Sequence, residues 1–68
     1  MINMRGYEIE YSGDGNYLKS QAPDFEGIKS LLRKLELDGT VSVVRKRDGT
    51  EIYCGTVSQA RFRFGVSN

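Results

Sequence analysis

Acid–base chemistry is the first possibility that the residue types raise. Glu8 and Glu10 lie two positions apart in an alternating segment, which places both carboxylates on one side of a strand. Nothing near them in the sequence indicates a pocket that would shift either pKa, so a solvated strand face is the preferred interpretation. The sequence has no histidine and one cysteine, which excludes histidine-ligated metals, Ser–His triads and internal disulfides. We therefore expect no enzymatic activity, no cofactor and no metal site.

Two other motifs also favour a structural interpretation. The segment 13–16, Gly-Asp-Gly-Asn, offers glycines and side-chain oxygens to a phosphate or a calcium ion. A strand rather than a helix is expected after it, and the further oxygen ligands of a calcium loop are missing, so a plain turn is preferred. Cys54 is a potential nucleophile, but the predicted strand register buries it opposite Val43 as a small core residue.

The basic residues are the most informative feature for function. The formal net charge is only +1, yet residues 1–26 contain two basic and five acidic side chains, whereas residues 27–68 contain eight basic and four acidic ones. This charge balance excludes a strongly basic nucleic-acid arm and an acidic disordered tail. The chain is instead predicted to be bipolar, with its cations in the second half.

The first half of the chain predicts a hairpin followed by a helix. Residues 7–11 alternate apolar and charged side chains, and residues 17–21 continue in an extended pattern after the turn. Pro23 disfavours helical backbone at Ala22, and the side-chain oxygen of Asp24 can accept from the first amides of a new helix. Asp24 is therefore the predicted N-cap. Apolar residues then recur at helical spacing as far as residue 35, and the helix is expected to end at residues 35–37.

The second half predicts three more strands. Residues 40–47 and 50–56 are joined by Asp48-Gly49, which favours a two-residue hairpin turn. In that register Val43 faces Cys54 and Val44 faces Tyr53. Residues 60–64, Ala-Arg-Phe-Arg-Phe, alternate with period two and predict a fifth strand.

These elements predict a small α+β protein with a single domain spanning residues 1–68. Its antiparallel sheet has about five strands, one amphipathic helix covers one face, and the order is ββαβββ. The first five residues are expected to be a disordered N-terminus. The predicted core joins helix and sheet residues: Phe25, Ile28, Leu32, Leu35, Ile9, Val41, Val43, Ile52, Phe62 and Phe64.

The sheet face without the helix is the predicted binding surface. Its candidate residues are Val44, Lys46, Tyr53, Arg61 and Arg63, with Arg45 and Arg47 beside the hairpin turn and Tyr17 and Lys19 if the first hairpin lies in the same sheet. Cations beside an aromatic ring can hold phosphates while a base stacks on the ring. The alternatives are an ordinary solvated face and a protein contact through Val44, Tyr53 or a sheet edge.

The predicted function is therefore a non-catalytic binding module whose open, basic sheet face contacts nucleic acid or a nucleoprotein. The alternative is a protein-interaction module, such as a small inhibitor or accessory subunit. The element order with its Asp-Gly hairpin resembles many small bacterial and phage α+β proteins, some of which inhibit host or defence complexes; this resemblance is one of topology and implies no site residue. No secretory signal or membrane span is evident, so a cytoplasmic monomer or weak homodimer without membrane contact is expected.

Overall fold

Four strands and two short helices make up residues 6–66, the part of the chain that the computed structural model describes. In chain order they are β1 (Tyr7–Gly13), β2 (Asn16–Ala22), α1 (Phe25–Leu32), β3 (Thr40–Arg45), β4 (Thr50–Thr56) and α2 (Val57–Phe64). The strands form one antiparallel sheet in the order β2-β1-β3-β4. The small α+β class is confirmed, but the order is ββαββα and not ββαβββ. The prediction for residues 1–5 lies outside the described residues.

The predicted β1–β2 hairpin is present, and a two-residue turn closes it. Asp14 and Gly15 both adopt positive φ, at 48° and 81°, and Gly13 pairs directly with Asn16. These are the backbone angles of a tight hairpin turn whose twist matches that of the strands. The ladder runs without interruption from this turn to the pair Tyr7 and Ala22.

Helix α1 begins where the sequence predicts and ends earlier. The Asp24 carboxylate accepts a hydrogen bond from the Gly27 N–H at 2.9 Å, as expected for an N-cap. Ile28 and Leu32 are fully buried against the sheet. The helix stops at Leu32, and not at residues 35–37 as predicted.

The predicted register of the β3–β4 hairpin is wrong. Arg45 pairs with Thr50, so the loop comprises residues 46–49 and is longer than the two-residue turn expected from Asp48-Gly49. A bulge between Val43 and Val44 then restores one of the two residues of offset, and Val43 pairs with Tyr53 instead of Cys54.

The bulged register exchanges the faces of two neighbouring residues, because side chains alternate along a strand. Tyr53 lies beside the buried Val43 on the face that the helices cover. Cys54 pairs with Ser42 and is exposed on the opposite face, which corrects the prediction that it is a core residue.

The predicted fifth strand is a helix. In α2 the Thr56 hydroxyl accepts from the Gln59 N–H at 3.2 Å, and Gly65 ends the helix with a φ of 74° while the Val66 N–H bonds the Arg61 carbonyl at 2.8 Å. A strand would turn Phe62 and Phe64 to the same side, whereas the helix sends Phe62 outward with 89% of its surface exposed.

One apolar core lies between the sheet and both helices. Its buried members are Ile9, Tyr11, Ala22, Ile28, Leu32, Val41, Val43, Val57 and Ala60. Most predicted core residues lie in this cluster or pack against it, but Phe25 is 51% exposed and Phe62 is almost fully exposed. The buried residues that α2 contributes are Val57 and Ala60, whereas the predicted fifth strand was expected to contribute Phe62 and Phe64.

Candidate functional site

The seven predicted site residues do not share one sheet face. Val44 alternates with the buried Val43 and so lies on the open face, and the Lys46 ammonium reaches Gln21 of β2 at 2.9 Å. Tyr53, Arg61 and Arg63 lie on the other side of the sheet, which contradicts the predicted surface.

Tyr53 and Arg61 both have structural contacts. The Tyr53 hydroxyl donates to the Thr56 carbonyl at 2.8 Å, and its half-buried ring meets the edge of Phe64 at a centroid distance of 6.1 Å. Arg61 donates from Nε and Nη2 to the carbonyls of Leu32 and Arg33, each at 3.0 Å. These carbonyls end α1, where a helix favours positive charge. Neither side chain is positioned to receive a phosphate or a base on the open face.

The open face mixes both signs of charge. As predicted, Tyr17 and Lys19 lie on it, but the Tyr17 hydroxyl donates to Glu10 at 2.7 Å, and Lys19 lies 3.6 Å from Glu8. The hydrogen bond to Glu10, together with desolvation and nearby negative charge, raises the pKa of Tyr17. The face is therefore not the basic surface that the sequence predicts.

Cys54 also lies on this open face, near Glu51. Its hydrogen bond to the Glu51 carboxylate, the negative charge of that group and slight desolvation raise the pKa of the thiol. A reactive cysteine needs the opposite shift, so this environment does not favour nucleophilic chemistry.

Four of the predicted cations lie together at one end of the molecule. Arg45 ends β3, Lys46 and Arg47 follow it in the loop, and Arg63 is in the last turn of α2. We call this group the basic end. Arg45 and Arg63 line the same surface depression of about 250 Å³, whose other walls are Tyr7, Phe25, Ile52 and Phe64. The basic end thus lies at the tip of the sheet, with Arg45 and Arg63 on the helix side and the Lys46 ammonium turned toward Gln21 of β2.

Three aromatic rings, those of Tyr7, Phe25 and Phe64, line this surface depression, which we call the aromatic depression. The rings of Tyr7 and Phe25 are stacked with their centroids 5.3 Å apart, and Phe64 meets Phe25 edge-on at 5.8 Å. Offset stacking and edge contacts are the favoured arrangements of aromatic side chains. The rings therefore support one another while part of their surface stays open to solvent.

The two arginines of the depression differ in their partners. Arg45 binds Asp48 through Nε at 3.1 Å and Nη2 at 2.9 Å, and the Asp48 carboxylate also accepts from the Thr50 N–H at 3.1 Å. The Arg45 guanidinium and the Thr50 amide hold the pKa of Asp48 well below its usual range. Arg63 is exposed and forms no ion pair with any residue between 6 and 66.

Sequence reasoning missed the aromatic walls of the site. Phe64 could have been found from the helical spacing of Val57, Ala60 and Phe64, which the shorter alternation of residues 60–64 obscured. Tyr7 meets Arg45 only through the β1–β3 pairing, for which the sequence contains no local signal.

No family model matches the chain, and no curated protein or solved structure is significantly similar to it. Within residues 6–66, no group of acidic, cysteine or histidine side chains is arranged to hold a metal ion. The helices in this range are all too short or too polar to cross a membrane.

Proposed function

We propose that the chain is a non-catalytic binding module that contacts nucleic acid, free or within a nucleoprotein, through its basic end. The observation that carries this proposal is the placement of Arg45, Lys46, Arg47 and Arg63 at one end of the fold. Clustered guanidinium and ammonium groups attract the phosphates of a nucleic acid and release the counterions bound to those phosphates. The proposed binding surface is therefore the basic end, and not the open sheet face that the sequence predicts.

Several carboxylates around this end have partners of their own. Asp48 binds Arg45, Asp24 caps α1, Glu26 lies 3.2 Å from Lys29, and Glu51 of β4 bonds the Cys54 thiol. Lys46, Arg47 and Arg63 form no ion pair within the described residues, which leaves their charge available to a ligand. We therefore assign the phosphate contacts to these three side chains. Arg45 is a more rigid neighbour, because Asp48 holds it on two atoms.

The test is a titration of labelled DNA and RNA, each single-stranded and duplex, at several salt concentrations. Wild-type affinity is expected to fall steeply with salt, and the double variant Arg47→Glu, Arg63→Glu should abolish binding. Lys34→Glu is the matched control, since this exposed lysine follows the far end of α1. Arg61 is left intact because its reversal would disturb the end of α1. Absence of binding to all four nucleic acids at low salt would reject the proposal.

A second candidate function is docking to a protein through a sheet edge. Strand β2 is an outer strand of the sheet, and its side chains Tyr17 and Leu18 are exposed. Edge strands can pair with an extended segment of a partner. Such a contact should depend little on salt and should survive the charge reversals at Arg47 and Arg63, which separates it from the nucleic-acid proposal.

A further inference from the structure

The aromatic depression contains one half-exposed aromatic ring, Phe25, which contacts the other two. Phe25 is the first residue of α1, and it is held by stacking on the Tyr7 ring and by a T-shaped contact with Phe64. Despite these contacts, 51% of its surface is exposed. A large apolar side chain fixed in this way offers a rigid surface on which a planar group can rest.

The size and rim of the depression restrict what fits there. Its volume of about 250 Å³ lies below the roughly 300 to 1,000 Å³ of common small-molecule pockets, which suits a single ring system. Arg45 and Arg63 at the rim favour a ligand that carries negative charge next to that ring. A nucleotide unit combines a planar base with an adjacent phosphate.

We infer that the aromatic depression binds one unstacked base of a single-stranded nucleic acid, with Arg63 on the neighbouring phosphate. This inference rests on the proposed function and adds the form of nucleic acid that is recognised. Stacking on a protein aromatic ring needs an exposed base face. In a duplex, each base is stacked between neighbouring base pairs, so its faces are covered. The basic end should therefore prefer single strands, and Phe25 is the ring on which the base lies.

The contacts of the two arginines indicate a different role for each in ligand binding. Asp48 holds the Arg45 guanidinium on two atoms, so that arginine keeps a constant position beside Tyr7 and shapes the rim. Arg63 has no such partner in residues 6–66 and can turn toward a phosphate. The ligand thus meets a fixed aromatic wall and one adaptable cation.

The experiment compares an oligothymidylate of about ten nucleotides, within the usual length range of single-strand sites, with the same strand carrying abasic positions and with its duplex. The intact single strand should bind wild type on the order of 5- to 100-fold more tightly than the abasic strand. Phe25→Leu should remove that difference while binding to the abasic strand stays salt-dependent. Phe62→Leu is the matched control, because this ring is exposed on α2 and does not line the depression.

A second measurement uses the unmodified protein. Adding the intact strand should shift the ring-proton resonances of Tyr7, Phe25 and Phe64, whereas the abasic strand should shift mainly the resonances of Arg63 and the 46–49 loop. Equal affinity for intact and abasic strands would overturn the base site and leave the proposed function standing. An effect of Phe62→Leu instead of Phe25→Leu would also overturn it. Failure of every strand to bind would reject both proposals.

Discussion

The two hairpins of the sheet carry the same Asp-Gly pair and use it differently. In the β1–β2 hairpin, Asp14 and Gly15 both have positive φ and form the whole turn. In the β3–β4 hairpin, only Gly49 has positive φ, at 73°, and it closes a loop that starts at residue 46. An Asp-Gly pair therefore marks where a hairpin turns but does not by itself determine how many residues the loop contains.

The contacts of Asp48 explain the longer loop. Its carboxylate binds Arg45 three residues earlier and the Thr50 N–H two residues later, while the Gly49 N–H donates to the Arg45 carbonyl at 2.8 Å. These bonds close the loop around Asp48, which keeps a negative φ. In the first hairpin no ion pair within the described residues involves Asp14. The longer loop is thus the one in which a cation at the end of the preceding strand binds the aspartate of the Asp-Gly pair.

The largest expected effect tests the register of the second hairpin. Tyr53→Ala should lower the free energy of unfolding by about 2 to 3 kcal/mol, because it removes a half-buried ring packed on Phe64. Cys54→Ser should change it by less than about 0.5 kcal/mol, since this side chain is exposed. Urea unfolding of both variants measures the two values. The two-residue turn predicts the reverse order, so a larger loss at Cys54 would restore that register.

The next effect compares the turn glycines. Gly15→Ala and Gly49→Ala should each cost about 1 to 2 kcal/mol, because an L-residue pays for left-handed backbone at either position. An added Cβ would have no atom within 4 Å at either site, so steric clashes do not contribute. Thermal unfolding of the two variants should therefore give similar losses. A neutral effect at Gly49 alone would show that the second loop changes its conformation to accept alanine.

The smallest effect depends on pH. The folded-state pKa of Asp48 is depressed, so its interactions stabilise the protein above the ordinary aspartate pKa of about 3.9 and are lost as the pH falls below it. Asp48→Asn should lower Tm near neutral pH, and this difference from wild type should shrink in acid. Asp14→Asn controls for the loss of one carboxylate from a turn. A difference at Asp48 that stays constant down to pH values of about 2 would contradict the ion pair with Arg45.

Local patterns predicted the first hairpin and α1 but not α2. Two signals for that helix are present in the sequence: Thr56 and Gln59 have capping-box spacing, and Gly65 follows the last helical residue. Strict alternation over residues 60–64 favoured a strand because that window is too short to show the period of a helix. Burial of Val57 and Ala60, at helical spacing, decides between the two structures.

The candidate site was predictable only in part. The cations of the 45–47 segment and Arg63 could be identified from the sequence, but their arrangement around Phe25 depends on contacts between distant segments. Arg45 meets Tyr7 through the β1–β3 pairing, and Arg63 lies on a helix that was predicted as a strand. The bulge in the β3–β4 pairing and the helix at residues 57–64 are therefore the two reasons why the candidate surface lies at the end of the sheet and not on its open face.

The contact of Arg61 with the end of α1 has a consequence for folding kinetics. Each helix has only eight residues, and isolated helices of that length are unstable in water. The carbonyl of Leu32 is bonded by a side chain 29 positions later, so α1 gains this bond only after the chain has closed a long loop. The β1–β3 ladder requires closure over a similar separation. The helices should therefore consolidate together with the sheet in one late step, and replacing Arg61 should accelerate unfolding more than it slows folding.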